Sequence, residues 1–129
     1  MNMNEQASEK SEGIVEAVVG AAYEVGNTLG AGFLEKVYER SLARELTLRG
    51  LQVQTQVRFP VRYKGLNVGD YYADLVVGEG VIVELKCAED FSREHLAQCI
   101  NYLKASGLRL AVMLNFQKSK VAWRRVVLG

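Results

Sequence analysis

Two carboxylates, Asp74 and Glu84, stand at positions from which their side chains can reach the same ligand. Residues 78–80 read Gly-Glu-Gly, which suits a three-residue hairpin loop that pairs Val77 with Val81. Counting back along both strands from that pair places Asp74 directly opposite Glu84. Like charges opposite each other destabilise a sheet, and a divalent cation between them removes the conflict. The spacing therefore predicts a metal site with Asp74 and Glu84 as ligands.

Lys86 adds a cation to the same site. It follows Glu84 by two residues, so the strand period puts both side chains on one face of the sheet. The predicted ligands are oxygens and His95 is the only histidine in the chain, which favours Mg²⁺ or Mn²⁺ over zinc. In metal-assisted phosphodiester cleavage, carboxylates hold the ion, the ion helps to generate hydroxide, and a nearby cation offsets charge developing on the phosphate. Asp74, Glu84 and Lys86 have the residue types for these roles.

A simpler interpretation places the same residues on a solvated sheet face, where Lys86 neutralises one of the carboxylates. A bulge at Gly80 would also shift the register and separate the pair. Against this, Tyr72, Val76 and Ile82 share the face of the charges, which indicates that this face is partly covered. Unpaired charge is costly on a covered face. The pattern therefore favours the metal site, and the solvated face remains the alternative.

The periodicity of apolar residues predicts the elements that would position this site. The alternating strand at 51–63 contains Pro60, which has no N–H for a ladder, so that strand should lie at a sheet edge or contain a bulge there. The order ααβββαββ indicates an α/β fold of the α+β sandwich kind, a mixed sheet of about five strands with helices packed on it. The predicted elements are helices at about 11–28 and 33–49, strands at about 51–63, 70–77 and 81–87, a helix from a cap at Asp90 or Ser92 to near Gly107, and strands at about 109–116 and 121–128.

Length and composition fit one small domain. The chain has 129 residues and 14.3 kDa, with 49% hydrophobic and 24% charged residues, which is ordinary for a globular protein. Residues 1–10 are polar and are expected to form a flexible N-terminal tail, leaving residues 11–129 as a single domain. No apolar run is long enough to cross a bilayer. Cys87 and Cys99 fit no metal or redox spacing, so we expect reduced thiols in a cytoplasmic protein.

The overall charge gives no global attraction for a polyanion. The formal net charge is +1 and the pI is near 7.7, so any nucleic-acid contact must come from a local basic patch. The basic residues of the strands could form a phosphate-binding rim, or they could be solubilising charges on exposed edges. These residues are Arg58, Arg62, Lys64, Arg124 and Arg125. The numbers of acidic and basic residues in the chain nearly cancel, which favours the second alternative.

Gly32, Glu35 and Tyr38 spell the pattern GxxExxY at the start of the second predicted helix. In this pattern the sequence resembles the GxxExxY proteins, a family within the PD-(D/E)XK nuclease superfamily. The resemblance implies a restriction-endonuclease-like core of helix, three-stranded meander, helix and strand. The likeness covers about residues 10–128 and continues through residues 63–65, 72–75 and 83–86, Gln98, residues 102–103 and residues 114–116.

The resemblance also implies roles for individual residues. Asp74 and Glu84 would bind the metal, and Lys86 would be catalytic. Glu35 would be a helical acid that reaches the metal through water, although a lone helical glutamate more commonly faces solvent. Gln98 would orient the attacking water or touch a phosphate.

Together these observations predict a cytoplasmic nuclease that depends on Mg²⁺ or Mn²⁺ and acts on DNA or RNA, with no membrane contact and with a homodimer as a plausible assembly. The alternative is a non-catalytic module of the same fold that binds nucleic acid, a partner protein or another copy of itself. A serine or cysteine nucleophile fits poorly, because His95 has no evident partner in a turn motif. We expect His95 to be an incidental surface residue.

Overall fold

A five-stranded sheet forms the centre of the fold in the computed structural model, which describes the backbone of residues 3–129 and the side chains of residues 9–129. The element order is ααβββαββ, as predicted. The elements are α1 (Met3–Leu29), α2 (Glu35–Leu48), β1 (Val53–Tyr63), β2 (Leu66–Val77), β3 (Val81–Lys86), α3 (Arg93–Ser106), β4 (Leu110–Asn115) and β5 (Ala122–Val127).

The first helix is longer than the sequence pattern predicts. It begins at Met3, so residues 3–10, which were expected to belong to a flexible tail, are helical. Met1 and Asn2 lie outside the described residues. Residues 3–10 contain Glu, Gln, Ala and Lys and no Gly or Pro, so their helix propensity is high although no apolar stripe marks them. None of the described helices carries an apolar stretch sufficient to cross a membrane.

The sheet has the strand order β1-β2-β3-β4-β5 and is mixed, as predicted. Strands β3 and β4 are parallel, and the other neighbouring pairs are antiparallel. Because β1 lies at the edge, it accommodates Pro60 in the way that the sequence predicts. In the β2–β3 hairpin Val77 pairs with Val81, which confirms the predicted register, and regular pairing extends to Leu75 and Val83.

Each face of the sheet carries its own apolar core. Helices α1 and α2 pack against one face, with Leu42 and Leu75 among the fully buried residues. Helix α3 packs against the opposite face around Ile82 and Leu103. Because successive side chains of β3 and β4 enter the two cores in turn, these central strands are almost completely buried.

The alternation of β1 breaks at Gln56, whose φ of 49° lies in the left-handed region. Val53 packs with the α1–α2 core, whereas Val57 packs with the α3 core. The sequence pattern had predicted one face for both, and the left-handed residue between them explains the difference. Strand β2 changes face at the same level, with Ala73 in the α3 core and Leu75 in the other. Asp74 therefore lies where the hairpin passes from one core to the other.

Both ends of α3 are capped. The Ser92 hydroxyl oxygen accepts a hydrogen bond from the main-chain N–H of His95 over 3.1 Å, and Nδ1 of His95 accepts one from the main-chain N–H of Ser92 over 3.1 Å. Gly107, with φ of 75°, ends the helix in the left-handed conformation that suits glycine. The predicted stop is confirmed and Ser92 is the cap. His95 is not incidental, because it closes the first turn of α3.

Candidate active site

The structure brings Asp74 and Glu84 together at the end of the regular β2–β3 pairing. The main-chain N–H of Asp74 donates a hydrogen bond to Oε1 of Glu84 over 2.9 Å, and the main-chain N–H of Leu85 donates one to Oδ2 of Asp74 over 2.9 Å. Glu84 is only 3% exposed, and Asp74 is half-buried. Two carboxylates from neighbouring strands thus share a covered site, fixed by main-chain donors.

Both carboxyls hold their protons more strongly than usual. Burial, followed by repulsion from Asp74, raises the pKa of Glu84 to about 8, and the nearby Lys86 offsets only part of this. Burial also raises the pKa of Asp74, with further repulsion from Glu39 and Glu35 on α2. Without a bound cation, the surroundings therefore do not fully stabilise two ionised carboxylates at this site. A cation bound between them would offset their repulsion.

Of the three residues predicted to cover this site, Tyr72, Val76 and Ile82, one lies elsewhere. Val76 and Ile82 are buried in the α3 core, as expected. Tyr72, by contrast, is 50% exposed, because the hairpin changes face at Asp74 and the side-chain alternation does not carry through. The predicted sharing of one face by Tyr72 and the carboxylates is therefore wrong, while the burial of Glu84 excludes the fully solvated alternative for this residue.

Lys86 is held next to the carboxylates by α3. Its Nζ donates a hydrogen bond to Oε1 of Gln98 over 3.1 Å, and Nε2 of Gln98 donates one to the Tyr102 hydroxyl over 3.3 Å. Burial raises the pKa of Tyr102, so its phenol stays protonated at neutral pH. The predicted site residue Gln98 thus contacts the predicted site residue Lys86. Its amide fixes the position of the ammonium.

Glu35 lies in the first turn of α2 with its side chain exposed. It is close enough to Asp74 for its charge to contribute to the raised pKa of that carboxyl, after burial and Glu39. It also contributes, after burial, to the raised pKa of Cys87. The structure therefore places Glu35 at the mouth of the site, and among the described side chains its carboxylate forms no hydrogen bond with the other predicted site residues.

Glu39 and Gln56 belong to the site and were missed as site residues. Glu39 is 6% exposed, and its Oε1 accepts a hydrogen bond from Nε2 of Gln56 over 2.9 Å. The same Nε2 reaches Oδ1 of Asp74 over 3.3 Å, so Gln56 bridges the two carboxylates. Lys36 donates to Oε2 of Glu39 over 2.8 Å. The spacing of Glu39 four residues after Glu35 could have indicated its position, since both lie on one side of a helix.

The pattern of Gly32, Glu35 and Tyr38 also has a structural explanation. Tyr38 is buried, its ring stacks on Phe116 at 4.7 Å, and its hydroxyl donates to the carbonyl oxygen of Gly30 over 2.6 Å. Gly32 has φ of 108°, which favours glycine. Tyr38 is thus a core residue, and it anchors the loop that leads into α2 and presents Glu35.

The two cysteines are free thiols in separate environments. Burial, followed by the charge of Glu84, raises the pKa of Cys99 to about 12, and burial raises the pKa of Cys87. A cysteine nucleophile needs the opposite shift. The structure therefore agrees with the exclusion of thiol chemistry.

The proposed basic rim is only partly available. Arg58 pairs with Asp70 over 2.9 Å, and Arg125 pairs with Glu12. Lys64 lies 5.4 Å from the ring centre of Tyr63. Arg62 and Arg124 form no ion pair among the described residues. Two of the five basic residues are thus neutralised locally, as the solubilising-charge alternative expects.

A divalent ion fits the donors that the site offers. Within residues 9–129, no three His, Cys, Asp or Glu side chains come together in a group that could hold a metal. Asp74 and Glu84 thus form a pair of neighbouring carboxylates, with no third side chain of these types grouped with them among these residues. Mg²⁺ commonly binds through one or two carboxylates, with water and substrate phosphate completing its shell. The mutually repelling pair therefore has the type and number of donors that a hard divalent ion accepts, and it lacks the three or four protein ligands of a typical zinc site.

The fold and the site together define a restriction-endonuclease-like α/β protein, with an acidic pair and a lysine on adjacent strands. The sequence model of the PD-(D/E)XK nuclease superfamily matches residues 12–126. The chain belongs to the PD-(D/E)XK nuclease superfamily. A search of curated protein sequences gives no match.

Solved structures share the fold at low sequence identity. SSO0001 has a TM-score of 0.55 and 15% identity, over 71% of this chain and 48% of that one. An alkaline exonuclease, LHK-Exo from Laribacter hongkongensis, has a TM-score of 0.54 and 14% identity, over 73% of this chain and 55% of that one. LHK-Exo in complex with dAMP has a TM-score of 0.52 and 13% identity, over 88% of this chain and 82% of that one. The chain spans about half the length of the first two structures.

Proposed function

We propose that this protein is a metal-dependent nuclease that hydrolyses phosphodiester bonds in nucleic acids. The observation that carries the proposal is the pairing of the two acids: the main-chain N–H of Asp74 donates a hydrogen bond to the buried carboxylate of Glu84, and the half-buried carboxylate of Asp74 lies close enough to repel it. Lys86 lies on the same strand as Glu84. Membership of a nuclease superfamily supports it. The complex of a structural neighbour with dAMP supports a nucleotide-containing substrate.

In this proposal Asp74 and Glu84 are the protein ligands of Mg²⁺ or Mn²⁺. The bound ion would supply Lewis acidity and a hydroxide nucleophile at neutral pH. Lys86 stabilises negative charge that develops on the phosphate, and Gln98 holds its ammonium in place. Glu35, exposed at the mouth of the site, assists through a water molecule and does not contact the phosphate directly. Gln98 has a second candidate role in orienting water, since its amide lies beside the ammonium.

A second candidate is a non-catalytic module of the same fold that binds nucleic acid or protein. With two carboxylates and no third acidic, histidine or cysteine ligand near them, within the residues whose side chains are described, an ion would depend on water and substrate phosphate for the rest of its shell, whereas a module that only binds would need no such ion. A homodimer and a cytoplasmic location remain predictions under either function.

The two candidates differ in metal binding and in hydrolysis. We expect Mg²⁺ or Mn²⁺ to raise the Tm of the wild type and to support cleavage of labelled DNA or RNA. Asp74→Ala should lose both effects, because it removes a ligand. Lys86→Ala should keep the metal-dependent rise in Tm and lose cleavage. Lys10→Ala, at an exposed lysine paired with Glu79, is the matched control and should behave as the wild type.

Cleavage that survives in Lys86→Ala would come from a contaminant and would overturn the assignment. A metal-dependent rise in Tm without cleavage of single- or double-stranded DNA or RNA would favour the binding module. No response of the wild type to either metal would contradict the proposed ligands.

A further inference from the structure

An open groove of about 590 Å³ lies between the β1–β2 hairpin and α3, away from the carboxylate pair. Pro60 and Val61 on the hairpin contribute apolar surface, and Tyr71 on β2 contributes an aromatic ring. Asn101 and Lys104 come from α3. The groove thus has walls from two elements, an apolar component and polar groups at its rim.

The charge of this groove is entirely positive. Arg62 lines it from the hairpin and Lys104 from the last turn of α3, and its lining contains no carboxylate. Neither cation forms an ion pair among the described residues, whereas Arg58 on the same hairpin is engaged by Asp70. Two free cations facing one groove from opposite walls, in a chain with net charge +1, are complementary to an anionic ligand.

A continuous series of contacts joins the groove to the candidate active site. The ring of Tyr71 packs edge-on against Tyr102 with 5.3 Å between ring centres. The Tyr102 hydroxyl accepts a hydrogen bond from Gln98, and Gln98 in turn holds Lys86. Along α3, Gln98 and Lys104 are about 9 Å apart, which corresponds to roughly three nucleotides at the 3.4 Å spacing of a stacked strand.

We propose that this groove binds a single-stranded segment of the nucleic-acid substrate, with phosphates at Arg62 and Lys104 and a sugar or base against Tyr71. The inference rests on the proposed nuclease function and names the form of the substrate. An unpaired strand fits better than a duplex, because its bases are free to contact an aromatic ring beside the phosphate-binding cations. A segment held there is only a few nucleotides from Lys86.

The test is the affinity of the protein for fluorescein-labelled single-stranded DNA and RNA, measured by anisotropy in EDTA so that the probe stays intact. We expect Arg62→Gln/Lys104→Gln to weaken binding about tenfold at low salt and to reduce the slope of log K against log salt by about 1.4, or about 0.7 for each lost phosphate contact. Asn101→Glu, which adds an acid at an exposed groove position, should also weaken binding.

Lys10→Gln/Arg44→Gln is the matched control. It removes the same charge from α1 and α2, on the opposite face of the sheet, and should bind as the wild type. Unfolding curves of all variants should superimpose on that of the wild type, since the substituted groove residues are exposed.

Unchanged affinity in Arg62→Gln/Lys104→Gln, an equal loss in the control, or a wild type that binds neither probe would overturn the groove assignment. Equal or tighter binding of a duplex probe would overturn its preference for single strands. Metal-dependent cleavage that is lost in Lys86→Ala would leave the nuclease function standing in each of these cases. Conversely, binding that depends on Arg62 and Lys104 without any cleavage would support the groove as a binding site and contradict the nuclease function.

Discussion

The main-chain N–H of Asp74 donates a hydrogen bond to Oε1 of Glu84 over 2.9 Å, so the backbone of one acid fixes the side chain of the other. The reciprocal bond comes from Leu85, whose N–H donates to Oδ2 of Asp74 over 2.9 Å. Burial and repulsion nevertheless raise the pKa of both carboxyls. The fold thus fixes the positions of the two carboxyls, whereas a bound cation would be needed to stabilise the negative charge of both in their ionised form.

The stability of the metal-free protein should fall as the pH rises through the titration of Glu84. Burial and Asp74 raise the pKa of Glu84 from 4.5 to about 8, so between these values the folded state binds more protons than the unfolded state. By linkage, the contribution is fully present below the unfolded pKa and is lost as the pH rises through the folded pKa. We expect a loss on the order of a few kcal/mol, measured as a falling Tm in EDTA.

Glu84→Gln is the control for this titration, since an amide of similar shape cannot ionise. Its Tm in EDTA should fall less than that of the wild type between mildly acidic and mildly alkaline pH. Saturating Mn²⁺ should flatten the wild-type profile, because the ion stabilises the ionised pair. A wild-type profile in EDTA that parallels the one of Glu84→Gln would show that Glu84 does not control this dependence.

Removing Glu39 should disturb Asp74 through Gln56. In Glu39→Ala, Gln56 and Lys36 lose their carboxylate partner, which should cost about 1–3 kcal/mol in the free energy of unfolding. Because Gln56 also contacts Asp74, we expect Mn²⁺ affinity to fall about 10- to 100-fold. Urea unfolding and the Mn²⁺ dependence of Tm measure the two effects.

Glu39→Gln retains an acceptor for Gln56 and should restore part of the Mn²⁺ affinity. Glu45→Ala, on the same helix, removes only a partly exposed pair with Arg49 and should change stability by about 0.5 kcal/mol and leave the metal response intact. If Glu39→Ala lost stability but kept wild-type Mn²⁺ affinity, Glu39 would be a structural residue and not a positioning residue for Asp74.

The contact between Asp74 and Glu84 could be predicted because it depends on local geometry. A three-residue loop fixes the register of the β2–β3 hairpin, and the two acids follow by counting along both strands. The order of elements, the edge position of Pro60 and the ends of α3 were likewise marked by periodicity, proline and glycine. These signals lie within a few residues of the feature that they determine.

The surroundings of the pair could not be predicted in the same way. Gln56, which links Glu39 to Asp74 through its side-chain amide, adopts a left-handed conformation, and nothing in the alternation from Val53 onward marks that residue. At the same level β2 changes face, and Tyr72, which was predicted to cover the site, is exposed. Contacts of this kind join residues far apart in sequence, and packing rather than local pattern determines them.

Tyr38→Phe should destabilise the protein while preserving the aromatic stack on Phe116. The hydroxyl donates to the carbonyl oxygen of Gly30 over 2.6 Å and accepts from the main-chain N–H of Phe33 over 3.2 Å, so its loss leaves both loop groups without this partner. We expect a cost of about 1–2 kcal/mol in urea unfolding. Tyr63→Phe, at a residue that is 63% exposed, should be neutral. Equal stability of both variants would show that the hydroxyl of Tyr38 does not hold the loop.

Two glycines of α1 should respond to alanine in opposite directions. A Cβ on Gly26 would lie 2.6 Å from Cγ2 of Val121, a branched side chain with little freedom to move, whereas a Cβ on Gly13 meets nothing within 4 Å. Alanine favours a helix by about 1 kcal/mol over glycine at either position. Gly13→Ala should therefore stabilise the protein by up to about 1 kcal/mol, while overpacking should make Gly26→Ala a net loss of about 1–2 kcal/mol. Urea unfolding of the two variants measures the difference, and a gain in stability for Gly26→Ala would mean that α1 does not approach Val121 so closely.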